Sequence, residues 1–344
     1  MSNFISDISL QIDLVDIVLL TILVVVAVAV IRVRDLFEAV VLLGIFSLLS
    51  ACIFTTLDAV DVAFTEAAVG AGISTVLFLA TLTLTARKEK AQYSHSWSGF
   101  IVCTLTGGAL IYGTLDMPHF GDPDAPIHQH VAPRYIVDSP EEIGVPNMVT
   151  SVLASYRGYD TLGETTVIFT AGLTVLLLLR RDRRSRDRSA SPPTAETTDR
   201  RGSHVMRHAM VLRVMSKLFI PLILLFALYV QFHGDFGPGG GFQAGVIFAA
   251  AFVLYALIYG VEAAQRVAPP ARVQVFVALG LLLYIGTGLA SLFAGGNFLE
   301  YKVLAHEASH GEHIGILFIE LGVGITVAAV IINTFFYFAG RGRA

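Results

Sequence analysis

Residues 232–245 read FHGDFGPGGGFQAG, a glycine-rich stretch holding a proline, a histidine and an aspartate between two long apolar runs. A phosphate-binding loop would need Gly-Lys-Ser/Thr after the glycines, and a dinucleotide fingerprint would need a strand before them. Neither is there. The runs on either side, about 211–231 and 241–261, are each long enough to cross a bilayer, which takes roughly 20 apolar residues. The stretch therefore joins two membrane helices. Two forms are open: a tight turn, or a non-helical segment that enters the membrane and needs protein or water to satisfy its backbone. A turn buried against partner subunits is the expected form. Pro238 stops the helix pattern. Gly239, Gly240 and Gly241, before Phe242, leave room for a neighbouring backbone, with His233 and Gln243 alongside.

The rest of the chain agrees with a membrane reading. Of its 344 residues 55% are hydrophobic and 15% charged, against about 45–50% and 25% in soluble domains. Nine runs qualify as spans, at about 14–31, 36–57, 59–85, 98–115, 160–179, 211–231, 241–261, 273–294 and 314–338. The expected fold is an all-α polytopic membrane protein with about nine transmembrane helices. With the N-terminus outside, alternate loops carry Arg32 and Arg34; Arg87, Lys88 and Lys90; the run from Arg180 to Arg213; Arg266 and Arg272; and Arg341 and Arg343. Only Arg134, Arg157 and Lys302 fall on the other side. That bias places the C-terminus in the cytoplasm. No basic residue precedes the first span, so it reads as a span and not as a cleaved signal. Cys52 and Cys103 lie in apolar runs and show neither metal-ligand nor disulfide spacing.

Three modules follow: 1–90 with three spans, 91–180 with two, and 208–344 with four. Between the last two, residues 181–207 are basic and then Ser/Pro/Thr-rich, which reads as a solvated cytoplasmic linker touching anionic lipid. It has no interleaved aromatics, which sets aside a nucleic-acid partner. The outer loop 116–146, with His119, His128 and His130, shows no helix or strand period.

Charges inside a bilayer cost roughly 2.5–3.5 kcal/mol even on the lenient insertion scale, so they mark function by default. Glu66, Glu164 and Glu320 lie near the outer ends of their spans, with Asp61, Asp160 and His313 as polar neighbours. Glu66 is followed by Gly70 and Gly72 in AVGAG, where a local bulge is expected. His313, Glu320 and Gly324 fall on one helix face. A desolvated carboxyl holds a proton near neutrality and, ionised, a small cation. Carboxylates that pair with a partner's Lys or Arg to lock subunits together are the alternative. Residues 306–310, HEASH, match the zinc-protease pattern, but that chemistry needs both histidines on one stable helix. In a short loop between glycines the pattern reads as a polar loop.

The stretches HGDFGPGGGFQAGVIFAAAFVLYALIYG and GILFIELGVGITV resemble the MnhB/MrpB subunit of the Mrp multisubunit sodium–proton antiporters. RDLFEAVVLLGIFSLLSACIFTTLDAVDVAFTEAAVGAG is similar to the MbhD module, itself like the J subunit of complex I, and NMVTSVLASYRGYDTLGETTVIF to the MbhE module. The chain thus resembles the C-terminal end of the large A subunit fused to the B subunit. This implies a bacterial plasma-membrane subunit that exchanges cytoplasmic sodium for external protons without a cofactor. Implied partners are the antiporter-like A and D subunits and the C, E, F and G subunits. The family's membrane glutamates carry over onto Glu66, Glu164 and Glu320, and its Pro-Gly-Gly-Gly-Phe segment onto Pro238 to Phe242. No span holds a central lysine, so the chain alone is not expected to transport. The same modules also occur in hydrogenase-like redox pumps, and a purely structural scaffold is a third reading.

Overall fold

The structure is a computed structural model that describes residues 2–82, 85–89, 97–119, 122–189 and 210–341. Its long helices are α1 (Ser2–Arg32), α2 (Leu36–Thr56), α3 (Val60–Leu82), α4 (Trp97–Thr114), α5 (Gly158–Ser189), α6 (Met210–His233), α7 (Gly241–Tyr259), α8 (Pro270–Phe293) and α9 (Ala308–Arg341). Among the described residues eight of them are long and apolar enough to cross a membrane. The exception is α4. It forms where a span was expected, but as 18 residues rich in glycine and threonine. Its length is close to that of the 19-residue α7, so what sets α4 apart is its lower apolarity and not its length. Nearly all of its residues are exposed.

Two further expectations are corrected. The loop 116–146 contains short helical turns at Pro126–Gln129, Val131–Pro133, Arg134–Asp138 and Ser139–Glu142. Here Arg134 pairs with Glu142 at 3.2 Å, and the Tyr156 hydroxyl donates to Glu142. These side-chain bonds substitute for the apolar period that the sequence lacks. The basic run was expected to be linker from 181, yet α5 continues through it to Ser189, since arginine is a good helix former. Residues 190–209, the rest of the expected linker, lie outside the described residues.

Close backbone packing organises the core. Helices α7 and α9 are the most buried spans, and they touch through glycines. A Cβ on Gly241 would run into the Glu320 main-chain carbonyl, and one on Gly245 would lie 2.6 Å from the Gly324 carbonyl oxygen. Gly280 of α8 meets the Gly322 carbonyl of α9 in the same way. Small residues thus let three helix backbones approach as membrane packing requires. Tyr284, Tyr301, Ile316 and Ile319 are fully buried around this contact. By contrast α1, α4 and α6 present large apolar side chains to their surroundings, as helices facing lipid or neighbouring proteins do.

The expected bulge after Glu66 is present. Residues Ala67–Ser74 form a π-helical segment inside α3. A Cβ on Gly70 would meet the Glu66 carboxylate and the Ser47 hydroxyl at 2.5 Å, so the glycine makes the room in which Glu66 packs against α2.

Candidate functional site: a carboxylate-lined cavity beneath the glycine turn

The stretch 234–240 is a turn between α6 and α7, buried at Gly234, Gly239 and Gly240. Of the two forms left open, the turn is the one found. Gly240 has φ +112 and ψ −179, a conformation essentially confined to glycine, and its N–H donates to the Val230 carbonyl at 3.0 Å.

The turn is buried against other parts of its own chain. From the segment before α5, the Asn147 side chain donates to the carbonyls of Gly234 and Gly237, both at 3.0 Å, and its main-chain N–H donates to the Asp235 carbonyl. The Thr150 hydroxyl donates to the Gly234 carbonyl at 2.7 Å. From α3, the Asp61 carboxylate accepts the Gly239 N–H at 3.2 Å, and Thr65 accepts from the Gln243 amide at 2.9 Å. From α9, the Glu320 carboxylate lies against Gly234 and Gly240, where a Cβ would sit 3.2 Å and 3.0 Å from its oxygens.

Below the turn a cavity of about 600 Å³ is lined by Asp61, Glu164, Glu320, Gln243, Phe242 and Gly239 to Gly241, together with Thr65, Thr150, Thr161 and Thr165. Three carboxylates from three separate stretches of sequence therefore share one space, with hydroxyls and glycine backbone between them. Among the described residues no three acidic or histidine side chains stand together as a metal-binding group, so the lining is a set of separate proton-exchanging carboxyls with hydroxyls between them.

The remaining expected residues lie around this cavity. Glu66 sits on α3 beyond Asp61, beside Ser47, with Gly70 and Gly72 in the π segment. Asp160 is paired with Arg157, whose Nε is 2.6 Å away. His313 bridges the Asp235 carboxylate and the Gly144 carbonyl, each at 3.3 Å. His233 stacks on Tyr229 with ring centroids 5.0 Å apart, and Pro238 is exposed. Helix α9 starts at Ala308, earlier than the expected 314, so Glu320 lies three turns inside it. His306 precedes that helix, and the two histidines of HEASH do not share it.

Sequence reasoning missed several residues. Asn147 and Thr150 look like ordinary cap residues, and Asn147 does cap the short helix that follows; nothing local announces the turn they hold. Glu312 is buried and accepts from Ser155 at 2.8 Å. Its place inside a helix that starts early was the available signal. The Tyr284 and Tyr301 hydroxyls donate to the carbonyls of Gly158 and Ala154 at 2.7 Å and 3.1 Å. Both bonds lie where the π-helical Ser151–Tyr156 gives way to α5. Burial, then the neighbouring Tyr284, pushes the Tyr301 hydroxyl well above the ordinary tyrosine range.

Fold and cavity together define a multi-pass helical membrane protein whose cavity carboxylates are drawn from several segments. Three family models match in series: MbhD over residues 21–87, MbhE over 119–196, and the domain related to the MnhB subunit of Na+/H+ antiporters over 211–333. A Staphylococcus aureus (strain Newman) protein named as antiporter subunit mnhB2 is 33% identical over 138 residues, which are 39% of this chain and 96% of the relative. A Rhizobium meliloti protein, named as the probable A/B subunit of a K+/H+ antiporter, is 27% identical over 283 residues, 76% of this chain. This chain spans 27% of that relative's length. Among solved structures, the Mrp complex from Dietzia sp. DQ12-45-1b contains a chain that superposes with TM-score 0.73 at 28% identity, over 95% of this chain and 35% of that one. The archaeal membrane-bound sulfane sulfur reductase matches with TM-score 0.50 at 29% identity, over 70% of this chain and 96% of that one. The chain belongs to the MnhB family of antiporter subunits, with MbhD and MbhE modules ahead of the MnhB part.

Proposed function

We propose that this chain is a membrane subunit of a multisubunit monovalent cation/proton antiporter, and that the cavity beneath the glycine turn is part of its ion path. The observation that carries this reading is the convergence of Asp61, Glu164 and Glu320 on one cavity, from stretches matched by three different modules. Glu66 continues the line of carboxylates along α3, next to a π segment that can yield as water or an ion passes. The exchange would move cytoplasmic sodium or potassium outward against protons entering down their gradient, without a resident cofactor. The chain would act as a transporter subunit, with no enzymatic step of its own. It would sit in a bacterial plasma membrane with its N-terminus outside and its C-terminus inside. Its partners would be the antiporter-like A and D subunits and the C, E, F and G subunits, which would supply the helices with central lysines.

The test is exchange measured in everted vesicles carrying the whole complex. Glu320→Gln and Asp61→Asn keep shape but abolish ionisation. Both complexes should assemble to wild-type levels and lose most sodium- or potassium-dependent proton exchange, with Glu164→Gln and Glu66→Gln impaired as well. Normal exchange in all four would leave the chain a scaffold. Co-purification with iron–sulfur subunits in place of antiporter subunits would move it to a redox pump.

A further inference from the structure

A second cavity lies on the opposite side of α9 from the carboxylates. It is a groove of about 450 Å³, within the range of roughly 300–1,000 Å³ typical of ligand sites. Its floor is α9 from Leu321 to Ile332, and its walls include Leu228 of α6, Phe248 and Phe252 of α7 and Phe276 of α8. That floor is about 17 Å long at 1.5 Å per residue, close to half of the ~30 Å hydrocarbon core. The groove is therefore about one leaflet deep. Its lining is apolar along that whole length, which suits an extended hydrocarbon chain.

The two ends differ. One is closed by buried Gln231, whose amide oxygen faces Gly324. The other opens at Val267 to Pro269 and Arg272, in the first turn of α8. Arg272 and nearby Arg266 are both exposed, and neither guanidinium pairs with a described residue. The helix start adds partial positive charge. Arg213 and Lys217 lie near the start of antiparallel α6, at this same end of the four-helix module. An apolar slot about one leaflet deep, opening onto guanidinium groups without a partner among the described residues, is complementary in charge and shape to an anionic lipid.

We propose that this groove binds one acyl chain of an anionic phospholipid, whose phosphate is held at the Arg272 end. The hydrocarbon lining accepts the chain, and the basic end selects the headgroup, as basic pockets between transmembrane helices do. The proposal does not rest on the ion path, because its readout is bound lipid and not exchange.

The experiment uses the whole complex, purified in mild detergent and examined by native mass spectrometry, then exchanged against nanodiscs of phosphatidylglycerol or phosphatidylcholine. Wild-type complex should retain an anionic phospholipid through delipidation and rebind phosphatidylglycerol in preference to phosphatidylcholine. Arg272→Glu should weaken that rebinding by about tenfold or more, given the charge reversal at the headgroup. Leu228→Trp, which fills the slot from an exposed wall position, should abolish it while the complex stays intact. Equal retention in wild type and both variants would overturn the proposal. So would equal binding of the two lipids, or crosslinking of a cysteine at Leu228 to another protein of the complex.

Discussion

Replacing Gly240 with alanine, and Gly260 with alanine as its companion, separates backbone strain from contact with the ion path. Gly240 has φ +112 and ψ −179, and Gly260 has φ +96 and ψ 150. Both occupy the region that only glycine adopts freely, so each alanine costs about 1–3 kcal/mol of backbone strain. Their surroundings differ. A Cβ at Gly260 meets nothing within 4 Å, whereas at Gly240 it lies 3.0 Å from Glu320 Oε1. That oxygen ends a flexible side chain, so it can retreat by a few tenths of an ångström at little energetic cost. The two variants should therefore destabilise the purified complex by similar amounts, within about 1 kcal/mol of each other. They should differ in function. In everted vesicles matched for complex content, Gly260→Ala should exchange near the wild-type rate. Gly240→Ala should be impaired, because the methyl group displaces a carboxylate within the cavity. Equal exchange by the two, at equal assembly and equal thermal stability, would show that the position of Glu320 beneath the turn does not matter to transport.

Two further outcomes follow from the contacts of the turn and the outer segment. Asn147→Ala leaves the Gly237 carbonyl without its side-chain donor, while Gly234 keeps the Thr150 hydroxyl, and one orphaned acceptor costs about 1–3 kcal/mol; the thermal midpoint of the complex should fall, while Asn147→Asp, which keeps the cap on Val149 but cannot donate when ionised, should fall nearly as far. The outer segment should loosen on acidification: the bond from Tyr156 and then Arg134 hold the Glu142 carboxyl below its ordinary range, so its contribution is present above the unfolded value and lost as pH falls through the folded one. Hydrogen exchange at 134–143, corrected for the intrinsic pH effect, should speed up between about pH 6 and about pH 3; Glu142→Gln should remove that pH dependence, and an unchanged profile would refute the pairing. At the alkaline end, burial and then the Glu142 bond push the Tyr156 hydroxyl up to about 12, so its contribution holds below the ordinary tyrosine value and disappears only as pH rises through about 12.

What the sequence made legible is what depends on local pattern. Apolar run length placed the spanning helices within a few residues, and AVGAG announced the π segment because glycines weaken the regular helix where they cluster. The α4 run forms a helix where one was expected, but threonine and glycine among its apolar residues leave it less apolar than the other spans. The basic run misled: charge reads as linker, yet arginine supports a helix already under way. The glycine turn was recognisable as a turn, but its neighbours were not. Asn147 lies far from Gly234 in sequence, and Asp61 farther still from Gly239. No periodicity reports such contacts. Glu66 stood out because its own stretch is small and polar, whereas Asp61 has an unremarkable local context and gains its importance from the Gly239 amide.

The cavity exists only where the modules meet, and this constrains how it can work. Asp61 comes from the segment matched as MbhD, Glu164 from MbhE and Glu320 from MnhB, so no module alone encloses the space. The piece that all of them touch is the turn 234–240, which has no side chains of its own at Gly239 and Gly240. It offers amides to Asp61 and carbonyls to Asn147 and Thr150, and is pressed from the α9 side by Glu320. Protonation of Asp61 removes one ionic acceptor from the Gly239 amide and changes the hold of α3 on the turn. The same turn fixes where the Glu320 carboxylate can sit. If the cavity is the ion path proposed above, a proton or cation arriving at one carboxylate would act on the other through backbone shared between modules. Joining the modules in one chain keeps that shared backbone at high effective concentration, which is a physical reason for the fusion to persist.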